Sequence, residues 1–120
     1  MLASQKPERL AEFYAFVLDA EIKRGLNFHH YWVLAQSGVK IQIYLPSRNC
    51  LRAMKGRSFS LCLTARASND PISTIGELSS QIILKGASVL EEPRKESFGA
   101  EMWISDPDKN DFLILVPNLE

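Results

Sequence analysis

Polar side chains that could hold a small molecule alternate with apolar ones along one stretch of this sequence. Lys40, Gln42 and Tyr44 are separated by Ile41 and Ile43. In a β-strand this spacing places the three polar side chains on one face and the two isoleucines on the other. We expect the isoleucines to face a helix. The polar residues then line either a ligand-binding surface or a solvated face of the sheet.

A second stretch has the same period of two. Ser60, Cys62 and Thr64 alternate with apolar residues in a predicted strand over 58–64. The two hydroxyl groups on this face can orient a ligand through hydrogen bonds. The neighbours of Cys62 are Ser and Leu side chains, which do not activate a thiol, so we expect packing rather than reactivity at this position.

The remaining candidates for acid–base or nucleophilic chemistry are few. His29 and His30 are the only histidines and are adjacent, so on a strand they point to opposite faces, and we expect an edge or loop role for them. No nucleophile lies in a Ser-His-acid or Cys-His motif, which leaves acyl transfer without support. Cys50 and Cys62 match neither a disulfide framework nor CxxC spacing, and we expect both to be reduced thiols in a cytoplasmic protein.

Length and charge exclude several classes of protein. The chain has 120 residues, enough for one domain, and 14 Lys plus Arg balance 14 Asp plus Glu. Nucleic-acid binding leaves an excess of basic residues, so no nucleic-acid partner is expected. The longest uncharged apolar runs, such as 13–18, reach six residues, whereas a membrane-spanning helix needs about 20. We therefore expect neither a membrane span nor, from the first residues, a signal peptide.

Two helices are predicted to position these strands. The first covers 7–19, with Pro7 at its first position and Phe16 off its apolar face, where another strand and a partner chain are the alternative contacts. The second covers 71–85, with Asp70 as its N-cap and Gly86 after its end. Their apolar stripes are predicted to be Leu10, Phe13, Tyr14 and Val17 in the first helix, and Ile75, Leu78 and Ile82 in the second.

The sequence also contains an internal repeat. Hairpins are predicted over 31–45 and 101–116, and superposing Trp32–Pro46 on Trp103–Pro117 pairs Gln42 with Leu113. Each copy follows a helix and a strand, so the chain is predicted to contain two copies of one unit. The two tryptophans take equivalent positions in the repeat. Each is expected either to pack in the core or to stack on a ligand.

Three segments carry a family resemblance. The chain resembles the vicinal oxygen chelate superfamily in Phe13-Tyr14 within 10–18, in the helix end 84–87 and in the turn Asp106-Pro107-Asp108-Lys109-Asn110. In that superfamily Gly is usual at the position of Lys109. That superfamily includes glyoxalase I, extradiol dioxygenases, and fosfomycin- and bleomycin-resistance proteins. The resemblance implies an α+β fold, with two tandem βαβββ modules that form a cupped mixed sheet with the helices on its outer face.

The resemblance also implies boundaries for the modules. A single domain over 1–120 would comprise module one at about 1–46, a basic linker over 47–57 and module two at about 58–117. Only Leu2 to Ser4 remain for the first strand, which is therefore expected to be shortened.

The superfamily's metal ligands are expected to be largely missing. In the superfamily, the last strand of the second module carries a metal-binding Glu, and this chain has Leu113 at that position. The equivalent residue of the first module is Gln42, which is a weak metal ligand. On the first strand of module two the one possible ligand is Cys62, which is soft and alone. The corresponding ligand of module one would fall before Met1. A catalytic metal needs about three protein ligands, so neither a metal nor another cofactor is expected.

The function expected from these observations is metal-independent binding of a small organic molecule. The resembling family also implies a homodimer. The alternatives are a metal-dependent glyoxalase-like lyase or dioxygenase with an incomplete amino terminus, and a non-catalytic interaction module. The expected ligand-binding residues are Lys40, Gln42, Tyr44, Ser60, Cys62, Thr64 and Trp103, with Leu113 and Leu115 as an apolar floor.

Overall fold

The computed structural model of the chain describes residues 1–25, 27–46 and 60–120. These residues belong to two units, which span Met1–Met54 and Lys55–Glu120. The predicted linker, with Cys50 and its four basic side chains, lies outside the described residues, as do Ser58 and Phe59 of the predicted strand.

The first unit has the order strand, helix and three strands. Its sheet has the strand order β1-β4-β3-β2, in which β1 runs parallel to β4 and the other neighbours are antiparallel. The elements are β1 (Leu2–Ala3), α1 (Pro7–Leu18), β2 (Glu21–Arg24), β3 (His30–Leu34) and β4 (Lys40–Tyr44).

Helix α1 forms and ends as its sequence predicts. Pro7 lies at the start, where its missing N–H and fixed φ cost nothing, and Asp19 ends the helix in the left-handed conformation at φ 47°. The predicted stripe packs against β3 and β4. Leu10, Phe13 and Tyr14 are buried in this contact, while Phe16 lies off the stripe and is 42% exposed.

The second unit repeats this order with one strand more. Its described strands form one sheet in the order β5-β9-β8-β6, with β7 also paired to β8. Strands β6 and β7 pair with successive parts of β8, so together they take the place that β2 has in the first unit. The elements are β5 (Leu61–Thr64), α2 (Pro71–Ile83), β6 (Ser88–Val89), β7 (Arg94–Glu96), β8 (Gly99–Ser105) and β9 (Asp111–Pro117).

Helix α2 begins at a polar cap and buries one stripe against β8 and β9. The Asp70 carboxylate accepts a hydrogen bond from the Ser73 N–H at 3.3 Å. Hydrogen bonding with the Ser73 side chain, and second with its N–H, lowers the pKa of Asp70. Ile75 and Ile82 are fully buried. Ser79, outside the predicted stripe, is buried as well, because its hydroxyl donates to the Gly76 carbonyl at 2.9 Å within the helix.

The register of the two sheets confirms the internal repeat. Trp32 pairs with Gln42 across the first hairpin, and Trp103 pairs with Leu113 across the second. The parallel pairs repeat too, because Leu2 lies beside Ile43 and Leu63 lies beside Ile114. The predicted α+β architecture of tandem βαβββ modules, with a short first strand, is confirmed. In the described ranges no helix is long and apolar enough to cross a membrane.

The turn between β8 and β9 is organised by one buried carboxylate. Asp106 is fully buried, and its Oδ1 accepts hydrogen bonds from the N–H groups of Asp108 at 2.8 Å and Asn110 at 2.9 Å. Its Oδ2 accepts from the Asn110 side chain at 2.8 Å. The backbone of Lys109 takes φ 67°, in the region that favours glycine, and this explains why Gly is usual there in the resembling superfamily.

The positive φ at Lys109 predicts that Lys109→Gly raises the free energy of unfolding by about 0.5–1 kcal/mol, because glycine adopts this conformation without the Cβ strain. Lys109→Ala is the control, since it removes the 3.4 Å contact from Lys109 Nζ to Ser88 Oγ but keeps the strain. Urea denaturation of both variants measures the difference. Equal stability of the two variants would contradict the assignment of strain to this residue.

Candidate functional site

The first sheet carries most of the predicted polar residues on the face opposite α1, called face A here. Ile41 and Ile43 are buried toward the helix, as predicted. By alternation Lys40, Gln42 and Tyr44 lie on the other face. Their register partners share that face, so face A consists of Lys40, Gln42, Tyr44, Leu34, Trp32, His30 and, from β2, Lys23 and Glu21.

His30 is the buried member of face A. It is 7% exposed, and its ring lies beside the indole of Trp32 with 5.7 Å between ring centroids. A Cβ placed on Gly25 would come within 2.5 Å of two ring atoms of His30, so the imidazole packs directly on the glycine backbone. His29 is exposed and precedes the strand. The two histidines therefore differ in burial, and the expected edge or loop role stays a prediction.

The second sheet presents the corresponding surface, called face B, on the side opposite α2. Phe112, Ile114 and Val116 are buried toward the helix, which leaves the alternate residues of β9 on the other side. Register then assigns to face B Cys62, Thr64, Leu113, Leu115, Trp103, Glu101 and Arg94. Cys62 is exposed and carries a free thiol. Ser60 directly precedes β5, and its buried hydroxyl has no hydrogen-bond partner among the described residues.

An ion pair on face B was missed by the sequence analysis. Arg94 Nη2 donates a hydrogen bond to Glu101 Oε1, and this bond raises the pKa of Arg94. The strand over 101–105 was predicted, and the alternation that places Trp103 and Leu113 on face B applies equally to Glu101. Because β7 was not predicted, the partner strand that carries Arg94 was missing from the prediction.

The described residues do not form the metal site that the resembling superfamily implies. Leu113 does lie on face B, where the superfamily places a carboxylate, but an alkyl side chain offers no donor atom. Cys62 is its register partner on β5 and contributes one soft ligand. Among the residues described, no three His, Cys, Asp or Glu side chains lie close enough to hold a metal ion. Gln42 on face A is a weak ligand.

A groove of about 410 Å³ lies elsewhere in the first unit, beside the first turns of α1. Sequence reasoning did not find it, because its lining combines a helix start with the beginning of β3, and no local pattern links the two. Nearby, the guanidinium of Arg24 lies 5.5 Å from the ring centroids of both Phe28 and Tyr31. The lining residues are Lys6, Pro7, Glu8, Arg9, Glu12, His29 and Tyr31.

Comparison with solved structures identifies the fold. A glyoxalase/bleomycin resistance protein from Albidiferax ferrireducens T118 matches with a TM-score of 0.69 and 21% identity, over 97% of this chain and 93% of that one. The chain has the glyoxalase/bleomycin resistance fold. A glyoxalase/bleomycin resistance protein/dioxygenase family enzyme from Burkholderia phytofirmans PsJN matches with a TM-score of 0.74 and 14% identity, over 94% of this chain and 91% of that one.

A resistance protein has the same fold. The fosfomycin resistance protein FosX from Listeria monocytogenes matches with a TM-score of 0.70 and 16% identity, over 99% of this chain and 88% of that one. No family model and no curated protein matches the sequence. The glyoxalase/bleomycin resistance fold confirms the resemblance to the vicinal oxygen chelate superfamily at the level of architecture, and at these identities it says nothing about ligand or reaction.

The packing of His30 on Gly25 predicts that Gly25→Ala destabilises the first unit by about 1–3 kcal/mol, because the new Cβ displaces the ring. The variant His30→Ala removes the ring, so the double variant is expected to lose less stability than the sum of the two single changes. Denaturation curves of the four proteins measure this coupling, with Trp32 fluorescence reporting on face A. Strict additivity would show that the two residues do not compete for the same space.

Proposed function

We propose that this chain binds a small organic molecule without a metal ion, on face B. The observation that carries the proposal is the character of face B. Leu113 and Leu115 provide an apolar surface where the resembling enzymes have a metal ligand, and Trp103 and Thr64 flank it in register. A mixed surface of this kind favours a ligand with an apolar body and a few polar groups.

In this proposal the two faces differ in character, and each is described by itself. Burial of the ligand body against Leu113 and Leu115 supplies most of the binding free energy, because removal of apolar area from water is the dominant favourable term. Face A of the first unit offers polar groups of its own, because the Gln42 amide and the Tyr44 hydroxyl can each donate and accept hydrogen bonds. Lys40 on the same face is exposed and offers a positive charge to an anionic ligand. Ser60 and Thr64 add hydroxyl groups on the side of β5, and Cys62 contributes contact area.

The alternative function is that of a metal-dependent lyase or dioxygenase. A structural neighbour with a bound metal ion provides a comparison for this alternative. One structure of FosX from Listeria monocytogenes contains Mn(II) and 1S,2S-dihydroxypropylphosphonic acid. In the present chain the donor set described above does not suit such an ion. We also propose, from the superfamily resemblance and the sequence, that the chain is a cytoplasmic homodimer with neither nucleic acid nor membrane as a partner.

Metal independence predicts that protein purified without chelators contains less than about a tenth of an equivalent of manganese, iron, nickel or zinc, because a catalytic site holds its ion through about three protein ligands. Elemental analysis by mass spectrometry measures the content. FosX from Listeria monocytogenes, purified in parallel and loaded with Mn(II), serves as the positive control. Near-stoichiometric metal would overturn the proposal and direct the work to isomerisation and ring-cleavage assays.

Ligand binding on face B predicts which variants lose affinity. Compounds that raise the melting temperature in a thermal-shift screen are expected to bind Leu113→Asn and Thr64→Val about tenfold more weakly, since the first change removes an apolar contact and the second a hydrogen bond. Glu77→Gln changes an exposed residue of α2 and is the matched control. A compound whose affinity is the same for all these variants binds elsewhere, for example in the groove beside α1, and would count against the proposal.

A further inference from the structure

The outer strand of the first sheet is exposed along its whole length. Strand β2 pairs with β3 on one side, and it lies at the end of the strand order. All four of its residues, Glu21 to Arg24, are exposed, and the Ile22 side chain is 40% exposed. An edge of this kind offers its outward main-chain groups to another strand. The chemistry of β2 therefore decides which strand can pair with it.

The hydrogen bonds to β3 show which main-chain groups of β2 point outward. The Gly25 N–H donates to the His30 carbonyl at 2.6 Å, and this pair continues the register of the two strands. In an antiparallel pair the hydrogen-bonded residues alternate, so Lys23 and Glu21 also direct their main-chain groups to β3. The N–H and C=O groups of Ile22 therefore point away from the sheet, toward any strand that is added at the edge.

Two opposite charges lie on this strand, one residue apart from each other. Glu21 and Lys23 share face A, because alternate residues of a strand lie on the same side of the sheet. Within the described ranges neither side chain makes an ion pair or a hydrogen bond. Ile22, between them, lies on the side of the helix. A strand added at this edge can therefore supply a positive charge opposite Glu21 and a negative charge opposite Lys23.

The β2 strand of a second copy supplies these charges in one register. A two-fold axis relates such antiparallel strands, and a residue on the axis lies opposite its own copy. With Glu21, Lys23 or Arg24 on the axis, two like charges lie directly opposite each other, which is destabilising. With Ile22 on the axis, Glu21 lies opposite the partner's Lys23, and Lys23 lies opposite the partner's Glu21. Of these four registers, this one has complementary charges.

The main-chain groups favour the same register. Ile22 forms a hydrogen-bonded pair with the partner's Ile22, in which each N–H donates to the other carbonyl. The flanking pairs of Glu21 with the partner's Lys23 are then non-hydrogen-bonded, with Cα atoms about 4.5 Å apart, so the charged groups can meet. On the side of the helices, the two Ile22 side chains remove apolar area from water. Charge, hydrogen bonding and apolar contact therefore agree on one alignment.

We propose that β2 is the docking surface for a second copy of this chain, and that the two β2 strands pair antiparallel about Ile22. Two four-stranded sheets are then joined into one continuous sheet. This inference rests on the homodimer proposed above, because it names the interface of that dimer, and it is independent of the ligand of face B. Strands this short bury less than the standard interface of about 1,600 Å², so the dimer is reversible, with a dissociation constant in the micromolar range.

Charge reversal in the full chain tests the interface. Sedimentation velocity from about 1 µM to 1 mM protein gives the dimer dissociation constant. We expect Lys23→Glu and Glu21→Lys each to raise this constant about tenfold or more, because each change places like charges opposite each other twice. An equimolar mixture of the two variants should form a heterodimer, and the double variant Glu21→Lys/Lys23→Glu a homodimer. Both should have dissociation constants within about threefold of that of the unchanged protein, since every facing pair is again opposite in charge.

Lys95→Glu is the matched control. It makes the same change in net charge as Lys23→Glu at an exposed residue of β7, so the dissociation constant should stay within about twofold. Hydrogen exchange gives a second readout, because the outward N–H of Ile22 is covered in the dimer. Its exchange should slow about fivefold or more between dilute and concentrated protein. Amide spectra of each variant establish that the sheet is intact.

The outcomes separate the interface from the dimer itself. A dimer whose dissociation constant is the same in all variants uses another surface, and this result would overturn the inference while the homodimer stands. Single variants that are weakened but whose mixture stays monomeric would contradict the register about Ile22, and with it the proposal. If the unchanged protein is monomeric at about 1 mM, both this inference and the proposed homodimer fail, whereas small-molecule binding on face B is unaffected.

Discussion

Each sheet of this protein is packed against one helix, and that packing is the constraint on which the rest depends. A strand next to a helix must point every second side chain toward it, so the chemistry of each strand is divided between two faces. In β4 and β9 the helix side takes isoleucine, valine and phenylalanine, which leaves the alternate positions free to vary. Those positions are occupied by Gln42 in one unit and Leu113 in the other. A shift of one residue in register would exchange core and surface along the whole strand.

The same constraint explains how much of the structure was predictable. Periods of two and of about 3.6 residues were sufficient to place α1, α2, β4 and β9, because burial on one side imposes a regular pattern. Strand β7 was missed since Arg94-Lys95-Glu96 has no apolar residue, and its place depends on main-chain pairing with β8. The packing of His30 on Gly25 joins two residues across a turn, and no periodic signal reports such a contact. The groove beside α1 was missed for a similar reason.

The departure from the metal-binding pattern is local, whereas the architecture is retained over nearly the whole chain. The turn that precedes β9 keeps its buried Asp106 and its positive φ at Lys109, although lysine is a poorer residue than glycine for that conformation. Three residues after Asn110, the side chain on face B is leucine. Turns, register and helix packing hold this scaffold together, so a leucine at that position is compatible with the fold.

In both units the first strand pairs in parallel with the last, and this has a consequence for synthesis. Hairpins such as β8 with β9 bring together residues that are close along the chain, whereas β5 must wait for β9. Contacts between distant segments form late, because the entropy of closing a long loop is lost before the contact is gained. While the ribosome is still making the unit, β5 therefore remains without its neighbour. During that interval its Cys62 thiol and its unpaired main-chain groups are open to other chains.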